Sequence, residues 1–179
     1  MGTISIKQIK VSVVAVVLGL CFIGTMNEVR AQETSIYRLQ SLFLYNFTKH
    51  IKWENVEGQT FTVGIYGNVE ALNEINANLS NKLVWGKNIK VVAINSAAEA
   101  SKCHIVYLPK SNRKKVTDFM GTLPTTNTLI VTEEDFTTEG AAISFVLNET
   151  KVGFKVNKDR LEGAGLKVSA SLMSLSTSA

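Results

Sequence analysis

The sequence predicts an α/β fold: a three-layer sandwich on a mostly parallel sheet, with an antiparallel hairpin near the C-terminus. Two observations support it. Between residues 61 and 131, short apolar runs alternate with amphipathic segments, which is typical of strands joined by right-handed helical crossovers. Two later strand-like runs, residues 141–147 and 152–156, are separated by only four residues. Such a short connection favours an antiparallel hairpin.

The first predicted element is a helix that begins at Thr34 or Ser35, either of which could be its N-cap, and ends at Trp53. Its apolar residues are spaced so that they share one helical face: Ile36, Leu39, Phe43, Phe47 and Ile51. The alternating region then predicts strands at 61–66, 89–94, 104–108 and 128–131, and helical segments at 69–79, 97–101 and 113–120. Asn68 is the expected N-cap of the segment 69–79.

After the hairpin, the sequence predicts a helical turn over residues 157–161 and a break at Gly163 and Gly165. Residues 166–168 are expected to be extended. Ser169 is the expected N-cap of a terminal helix, whose inward-facing residues are predicted to be Leu172, Met173 and Leu175.

The first 31 residues have the features of an export signal. Lys7 and Lys10 precede an apolar run over residues 11–24, and Val29 to Ala31 place compact residues where a signal peptidase cuts. The run is shorter than the roughly twenty residues that a membrane-spanning helix needs. We therefore expect a signal peptide over 1–31, cleavage near Ala31 and Gln32, and one α/β domain over 32–179.

The charge of the mature chain argues against nucleic acid or an anionic membrane as a partner. The full sequence has 19 Lys and Arg against 15 Asp and Glu. Without the charged residues of the signal, 16 remain against 14, a net charge of +2, and so small an excess gives no electrostatic attraction to a polyanion. The residues removed are Lys7, Lys10, Glu28 and Arg30.

Cleavage of the signal would also remove Cys21, so that Cys103 is the only thiol left. This excludes an intramolecular disulfide and a cysteine-based metal site in the mature chain. His104 follows Cys103 directly, but consecutive strand residues point to opposite faces, so the pair is not expected to form a catalytic dyad. We predict no cofactor.

Two other charged or aromatic features are candidate binding sites. Arg113, Lys114 and Lys115 begin a predicted helix, where positive charge opposes the helix dipole and an acidic partner or anion would relieve the conflict. Solvated surface cations are the alternative explanation. Trp85, beside Gly86 in a polar loop, could anchor an interface or fold back onto the core.

An acidic cluster, Glu133 to Asp135, follows a predicted strand end, where α/β sheets tend to place ligands. It could hold a divalent cation. The favoured alternative is an ordinary helix start with Thr132 as N-cap, because acidic residues in a first turn complement the dipole.

The order and spacing of core and turn positions point to a known family. An early helix containing Phe43, Tyr45, Asn46 and Phe47 leads to Trp53, and later come Gly64 and the pair Gly86 and Lys87. The closing block comprises Ile143, Phe145, Phe154, Asn157, Gly165, Leu166, Ser169, Leu172 and Met173. In these features, over nearly the whole mature chain, the protein resembles the exported YfiR-like family of small bacterial proteins.

The resemblance implies a periplasmic regulator without catalytic activity. Such a protein binds the outward-facing sensor domain of an inner-membrane signalling protein, often a diguanylate cyclase, and holds it inactive. The chain departs from the family pattern in two respects: Glu54 stands where many relatives have proline, and the paired cysteines of some relatives are missing. A redox role through an internal disulfide is therefore not transferred.

We therefore predict a periplasmic interaction module that represses a membrane signalling partner, with Trp85, Arg113, Lys114 and Lys115 as candidate contacts. The alternative is a periplasmic module that binds a small anionic ligand at the carboxyl ends of the strands. An enzyme is not predicted, because no base, nucleophile and oxyanion donors can be assembled from these residues. A paired edge strand or an apolar helix face could support a homodimer.

Overall fold

The structure, a computed structural model, describes residues 36–54, 56–148 and 151–176. The predicted signal peptide and its cleavage site lie outside the described residues. None of the helices in the described part has the length and apolar content that a membrane crossing needs.

The strands of the described chain form one large sheet and one small one. In chain order they are β1 (Ile51–Trp53), β2 (Thr60–Tyr66), β3 (Leu83–Val84), β4 (Lys87–Ile94), β5 (Ile105–Leu108), β6 (Leu129–Thr132), β7 (Ile143–Asn148), β8 (Lys151–Val156) and β9 (Leu166–Val168). The large sheet has the order β3-β4-β2-β5-β6-β7-β8. Its five inner strands are parallel, whereas β3 and β8 pair antiparallel at the two edges. The predicted parallel sheet and C-terminal hairpin are confirmed.

Helices connect the strands and cover the sheet. They are α1 (36–50), α2 (Val69–Leu79), α3 (Ala97–Ala100), α4 (Arg113–Met120), α5 (Lys158–Gly163) and α6 (Ala170–Leu175). Two predicted N-caps are confirmed, because Asn68 accepts a hydrogen bond from the backbone of Ala71 and Ser169 accepts one from Leu172. These side chains satisfy backbone donors that the first helical turn leaves unpaired. The predicted N-cap of the first helix, Thr34 or Ser35, lies outside the described residues.

The three layers follow from the alternation of side chains along the strands. In β5, Ile105 and Tyr107 join a core shared with α1, α2, α5 and α6, whereas Val106 and Leu108 join a second core shared with α3 and α4. Both faces of the sheet are therefore covered, and a parallel sheet needs this cover. The predicted three-layer sandwich is confirmed.

The first helix ends earlier than predicted. Helical structure stops at residue 50, and β1 pairs antiparallel with β9, with Ile51 opposite Val168 and Trp53 opposite Leu166. Ile51 and Trp53 are buried while Lys52 between them is exposed, the period of two that a strand requires. Ile51 fits both the helical and the strand pattern, so its pairing with a strand more than a hundred residues away decided the outcome.

Two predictions are wrong: that Thr132 is a helix N-cap, and that Leu175 faces inward. Thr132 does not cap a helix; it ends β6, and its hydroxyl lies 2.7 Å from that of Ser144 on the neighbouring strand. A bend follows at residues 133–134, and a short 3-10 helix covers Thr137–Glu139. Leu172 is buried as predicted, but Leu175 is 67% exposed, because α6 ends there and nothing in the described chain covers its last turn.

We expect Gly64→Ala to lower the free energy of unfolding by about 1–3 kcal/mol, because it overfills the core between β2 and α3. A Cβ at Gly64 would lie 2.7 Å from the sulfur of Cys103 and 3.0 Å from Cγ2 of Ile94. Adding Cys103→Ala removes the sulfur and should recover part of the loss. Urea unfolding of both single variants and the double variant measures the coupling.

Gly163→Ala is the matched control, since nothing lies within 4 Å of a Cβ at that position. It should leave stability unchanged or raise it slightly. Equal losses for Gly64→Ala with and without the Cys103 sulfur would contradict this account of the packing.

Candidate partner-binding surfaces

Trp85 lies at the tip of a tight hairpin between β3 and β4. Val84 pairs with Lys87, so Trp85 and Gly86 alone make the turn. Their φ angles are +50° and +77°, and positive φ at both central residues defines the type I′ turn that suits a two-residue hairpin. Trp85 was predicted to lie in a polar loop, and β3 was not predicted, because a type I′ turn normally has Asn or Asp in the first position.

The indole of Trp85 packs against other aromatic rings on one side and is exposed on the other. Its ring centre lies 5.7 Å from that of Trp53 and 5.8 Å from that of Phe61, both in edge-to-face contact. Trp53 is itself fixed, since its Nε1 donates a hydrogen bond to the carbonyl oxygen of His104 at 3.2 Å. Half of Trp85 nevertheless remains exposed (50%). The residue is therefore a rigid aromatic side chain on the surface.

The surface around the hairpin extends to α1 through Tyr45, and two lysines lie beside it. The hydroxyl of Tyr45 donates a hydrogen bond to the carbonyl oxygen of Leu83 at 3.3 Å, and the Lys49 and Lys82 ammonium groups lie 4.5 and 5.1 Å from the centre of its ring. These cation–π contacts hold both charges beside the hairpin. We call the hairpin surface the set Tyr45, Lys49, Lys82, Leu83 and Trp85.

Sequence reasoning missed the α1 part of the hairpin surface. The one local signal was the spacing of Tyr45 and Lys49, which places them together on a helix. Their meeting with Leu83 depends on how α1 packs beside β3, and a single sequence does not show this.

The predicted basic residues begin α4, but two of the three are engaged within the chain. The guanidinium of Arg113 lies over the ring of Phe136, 4.3 Å from its centre, and it hydrogen-bonds the carboxylate of Glu139. Lys114 forms an ion pair with Asp118 at 2.5 Å. These contacts offset the unfavourable placement of positive charge in a first helical turn.

Lys115 borders a groove at the carboxyl end of β2. Its ammonium lies 5.5 Å from the ring centre of Tyr66, which stacks on Phe119 at 3.8 Å. The groove has a volume of about 420 Å³, and its other lining residues are Asn112, Lys114 and Asp118. The strand order changes direction here, because β4 lies on one side of β2 and β5 on the other. In open α/β sheets, ligands bind at this kind of switch point.

The structure does not bring the four predicted contact residues together. Trp85 packs against Phe61 near the start of β2, whereas Lys115 lies over Tyr66 at its end. A seven-residue strand spans about 20 Å. Trp85 and the basic turn therefore belong to two surfaces at opposite ends of the sheet.

Cys103 and His104 do not form a catalytic pair. The sulfur of Cys103 lies 3.5 Å from the carbonyl oxygen of Glu99, and burial, with the charge of Glu99, raises the pKa of this thiol to about 11. A thiol of this kind is not a nucleophile at neutral pH. The ring of His104 stacks on Phe61, and its Nδ1 accepts a hydrogen bond from the backbone N–H of Thr62 at 2.9 Å.

Within residues 36–54, 56–148 and 151–176, no three or more His, Cys, Asp or Glu side chains are grouped so that they could hold a metal ion. The acidic residues 133–135 are instead used in contacts within the chain. Glu133 accepts a hydrogen bond from the backbone of Lys110, Glu134 pairs with the side chain of Lys110, and Asp135 pairs with Lys155.

His104 should make the protein less stable in mild acid. Burial, and then the charge of Lys87, lowers the pKa of His104 below its ordinary value of 6.5, and Nδ1 can accept from Thr62 only when unprotonated. Below pH 6.5 the unfolded chain therefore takes up a proton that the folded chain does not. We expect the free energy of unfolding to fall from about pH 7 to about pH 5.

The variant His104→Asn keeps an acceptor near the position of Nδ1 and cannot titrate, so it should lose less stability over this range. Urea unfolding at each pH measures the difference. His50→Asn retains His104 and should behave like the wild type. If His104→Asn and the wild type lost stability equally, His104 would not be the group responsible.

Comparison with known proteins gives the family. A family model described as YfiR/HmsC-like matches residues 37–177, which include α1, both sheets and the terminal helix. No curated protein matches the chain. The match covers well over half of the sequence, and it agrees with the resemblance that the early helix and the closing block carry. The chain belongs to the YfiR/HmsC-like family.

Proposed function

We propose that the protein is a periplasmic regulator that binds the sensor domain of an inner-membrane diguanylate cyclase and represses it. Family membership supports the class of function, and the predicted export signal supports the compartment. The target and the direction of regulation rest on the family resemblance.

The structural observation that supports the proposal is Trp85, which is half exposed and is held by edge-to-face contacts with Trp53 and Phe61. Tryptophan is among the residues that contribute most to protein–protein affinity, and a side chain that is already ordered loses little entropy on binding. A binding protein needs such a surface feature, whereas an enzyme needs convergent catalytic groups. The side chains of Cys103, His104 and the acidic cluster each make contacts within the chain, as described above.

Cross-linking in intact cells, followed by mass spectrometry of the captured proteins, tests this proposal. The expected product is a cross-link to the periplasmic domain of a diguanylate cyclase. If the only products were cross-links to other proteins, or to the chain itself, the proposed function would be wrong.

The groove beside Lys115 favours a second candidate function, the binding of a small anionic ligand. It combines a cation with a stacked aromatic pair at a switch point of the sheet. Titration calorimetry with inorganic phosphate and with citrate tests it, and Lys115→Gln should abolish any heat of binding. Lys158→Gln, which removes a lysine paired with Glu162, is the control and should bind like the wild type. No heat with the wild type would exclude these two anions as ligands.

A further inference from the structure

We propose that the hairpin surface is where the protein docks onto its partner, and that the partner is an acidic protein surface. It would supply an apolar pocket for Trp85 and carboxylates that face Lys49 and Lys82. This inference rests on the proposed function, since it names the surface and the chemistry of the interaction with the sensor domain.

The backbone at Trp85 is the first reason. A φ of +50° is unfavourable for a bulky side chain, and Asn, Asp or Gly is normally found at this turn position. Folding alone would therefore favour Asn followed by Gly86. Strained residues persist where the surrounding structure supports them, and they cluster at functional sites. A tryptophan at this position is explained if its exposed half has a function.

The support beneath Trp85 is the second reason. The rings of Trp53 and Phe61 meet the indole edge-to-face, and Trp53 is anchored through His104. The indole is therefore held in one orientation before any partner arrives. Leu83, which is 54% exposed and lies in the same hairpin, adds to the apolar area of this surface. Aromatic anchors surrounded by weaker apolar contacts are typical of the centre of a protein–protein interface.

The charge of the surface is the third reason, and it specifies the partner. Six basic residues of the described chain pair with a carboxylate: Lys110, Lys114, Lys155, Lys158, Lys167 and Arg113. Lys49 and Lys82 are among the basic residues that have no carboxylate within ion-pair distance in the described chain. Both lie over the ring of Tyr45, and Lys49 also donates to Oδ1 of Asn46. Carboxylates on a partner would form ion pairs with these two lysines and would speed association by electrostatic attraction.

A protein partner fits this surface better than an anionic membrane. Anionic lipid surfaces are typically bound by larger clusters of basic residues, so two lysines would give weak binding. The indole also has one side fixed against Trp53 and Phe61. A fixed, half-exposed ring suits a pocket of defined shape.

The turn offers a variant that removes the anchor without weakening the hairpin. Trp85→Asn creates the Asn-Gly pair that type I′ turns prefer, so β3 and β4 should still pair. Trp85→Phe keeps an aromatic ring at the same position. The double variant Lys49→Gln/Lys82→Gln removes only the charges. Val69→Ala and Lys110→Gln are matched controls, because they remove an exposed apolar group and a lysine paired with Glu134, both at the opposite end of the sheet.

Binding is measured by biolayer interferometry at low and high salt. The immobilised probe is the periplasmic domain of the diguanylate cyclase that cross-linking identifies, and circular dichroism checks the fold of each variant. We expect Trp85→Asn to weaken binding by about 30-fold or more, the effect of losing a hot-spot residue, and Trp85→Phe to retain part of the affinity. The double lysine variant should associate more slowly and depend less on salt. Both control variants should bind like the wild type.

The surface assignment is overturned if a folded Trp85→Asn variant binds the cyclase domain as tightly as Val69→Ala does, while the proposed function then still stands. It is also overturned if the protein binds phosphatidylglycerol vesicles through Trp85, seen as a blue shift of tryptophan fluorescence that Trp85→Asn abolishes, and Trp85→Asn leaves cyclase binding intact. If the wild type cross-links to no cyclase, both the surface assignment and the proposed function are wrong.

Discussion

Replacing Phe47 with alanine is expected to lower the free energy of unfolding by about 3–5 kcal/mol. Phe47 is fully buried, and together with Phe43 it packs α1 against the C-terminal hairpin. Its ring lies 5.2 Å from that of Phe154 and 6.1 Å from that of Phe145. The variant therefore loses buried apolar area and leaves a cavity between α1 and the sheet. Urea unfolding followed by circular dichroism measures the change.

Leu42→Ala is the control on the same helix. Leu42 is exposed, so its replacement should change stability by no more than about 0.5 kcal/mol. If Phe47→Ala were no more destabilising than Leu42→Ala, α1 would not be held on the sheet by this aromatic contact.

Tyr107→Phe is expected to lower the free energy of unfolding by about 1–3 kcal/mol, because it leaves a buried acceptor without a donor. The hydroxyl of Tyr107 donates to Oε1 of Gln40 on α1 at 2.5 Å, and both residues are buried. Every buried side-chain nitrogen and oxygen of the described residues has a hydrogen-bond partner. Removing the hydroxyl would therefore create an unpaired buried amide oxygen.

A double-mutant cycle isolates this interaction. Adding Gln40→Leu replaces the second polar partner with an apolar one, so the double variant should be less destabilised than the two single losses added together. Tyr45→Phe is the control, since its hydroxyl donates at an exposed position, and it should have little effect. Strictly additive losses for Tyr107→Phe and Gln40→Leu would show that the pair does not contribute as a unit.

The sequence predicted most of the fold because local patterns and tertiary packing agree there. From β2 to β6, strands and helices alternate, and side chains cap the helices. The side chains that the pattern predicts to be buried pack into a core on one side of the sheet or the other. Prediction failed where a tertiary partner decided the structure. Ile51–Trp53 forms a strand because β9 pairs with it, and Thr132 lies in a strand because it pairs with Leu108 on β5 and Ser144 on β7.

The candidate site was less predictable than the fold. Trp85 was named from its sequence context, but its turn was not, because Trp-Gly is not a usual type I′ pair. The basic residues of α4 were named as a group, yet the contacts of Arg113 with Phe136 and Glu139 depend on loops more than twenty residues away. The pairing of Tyr45 with Leu83 likewise joins residues 38 positions apart. Single-sequence patterns describe one element at a time, and these surfaces form between elements.

If the protein represses a diguanylate cyclase through its hairpin surface, the cyclic-di-GMP content of cells should depend on the protein and on Trp85. Cells that lack the protein are compared with cells that produce the wild type or Trp85→Asn at equal abundance. We expect the cyclic-di-GMP level to rise when the protein is absent, to return to its initial value with the wild type, and to stay raised with Trp85→Asn. An unchanged level in cells without the protein would contradict repression, and full restoration by Trp85→Asn would contradict the role of the hairpin surface.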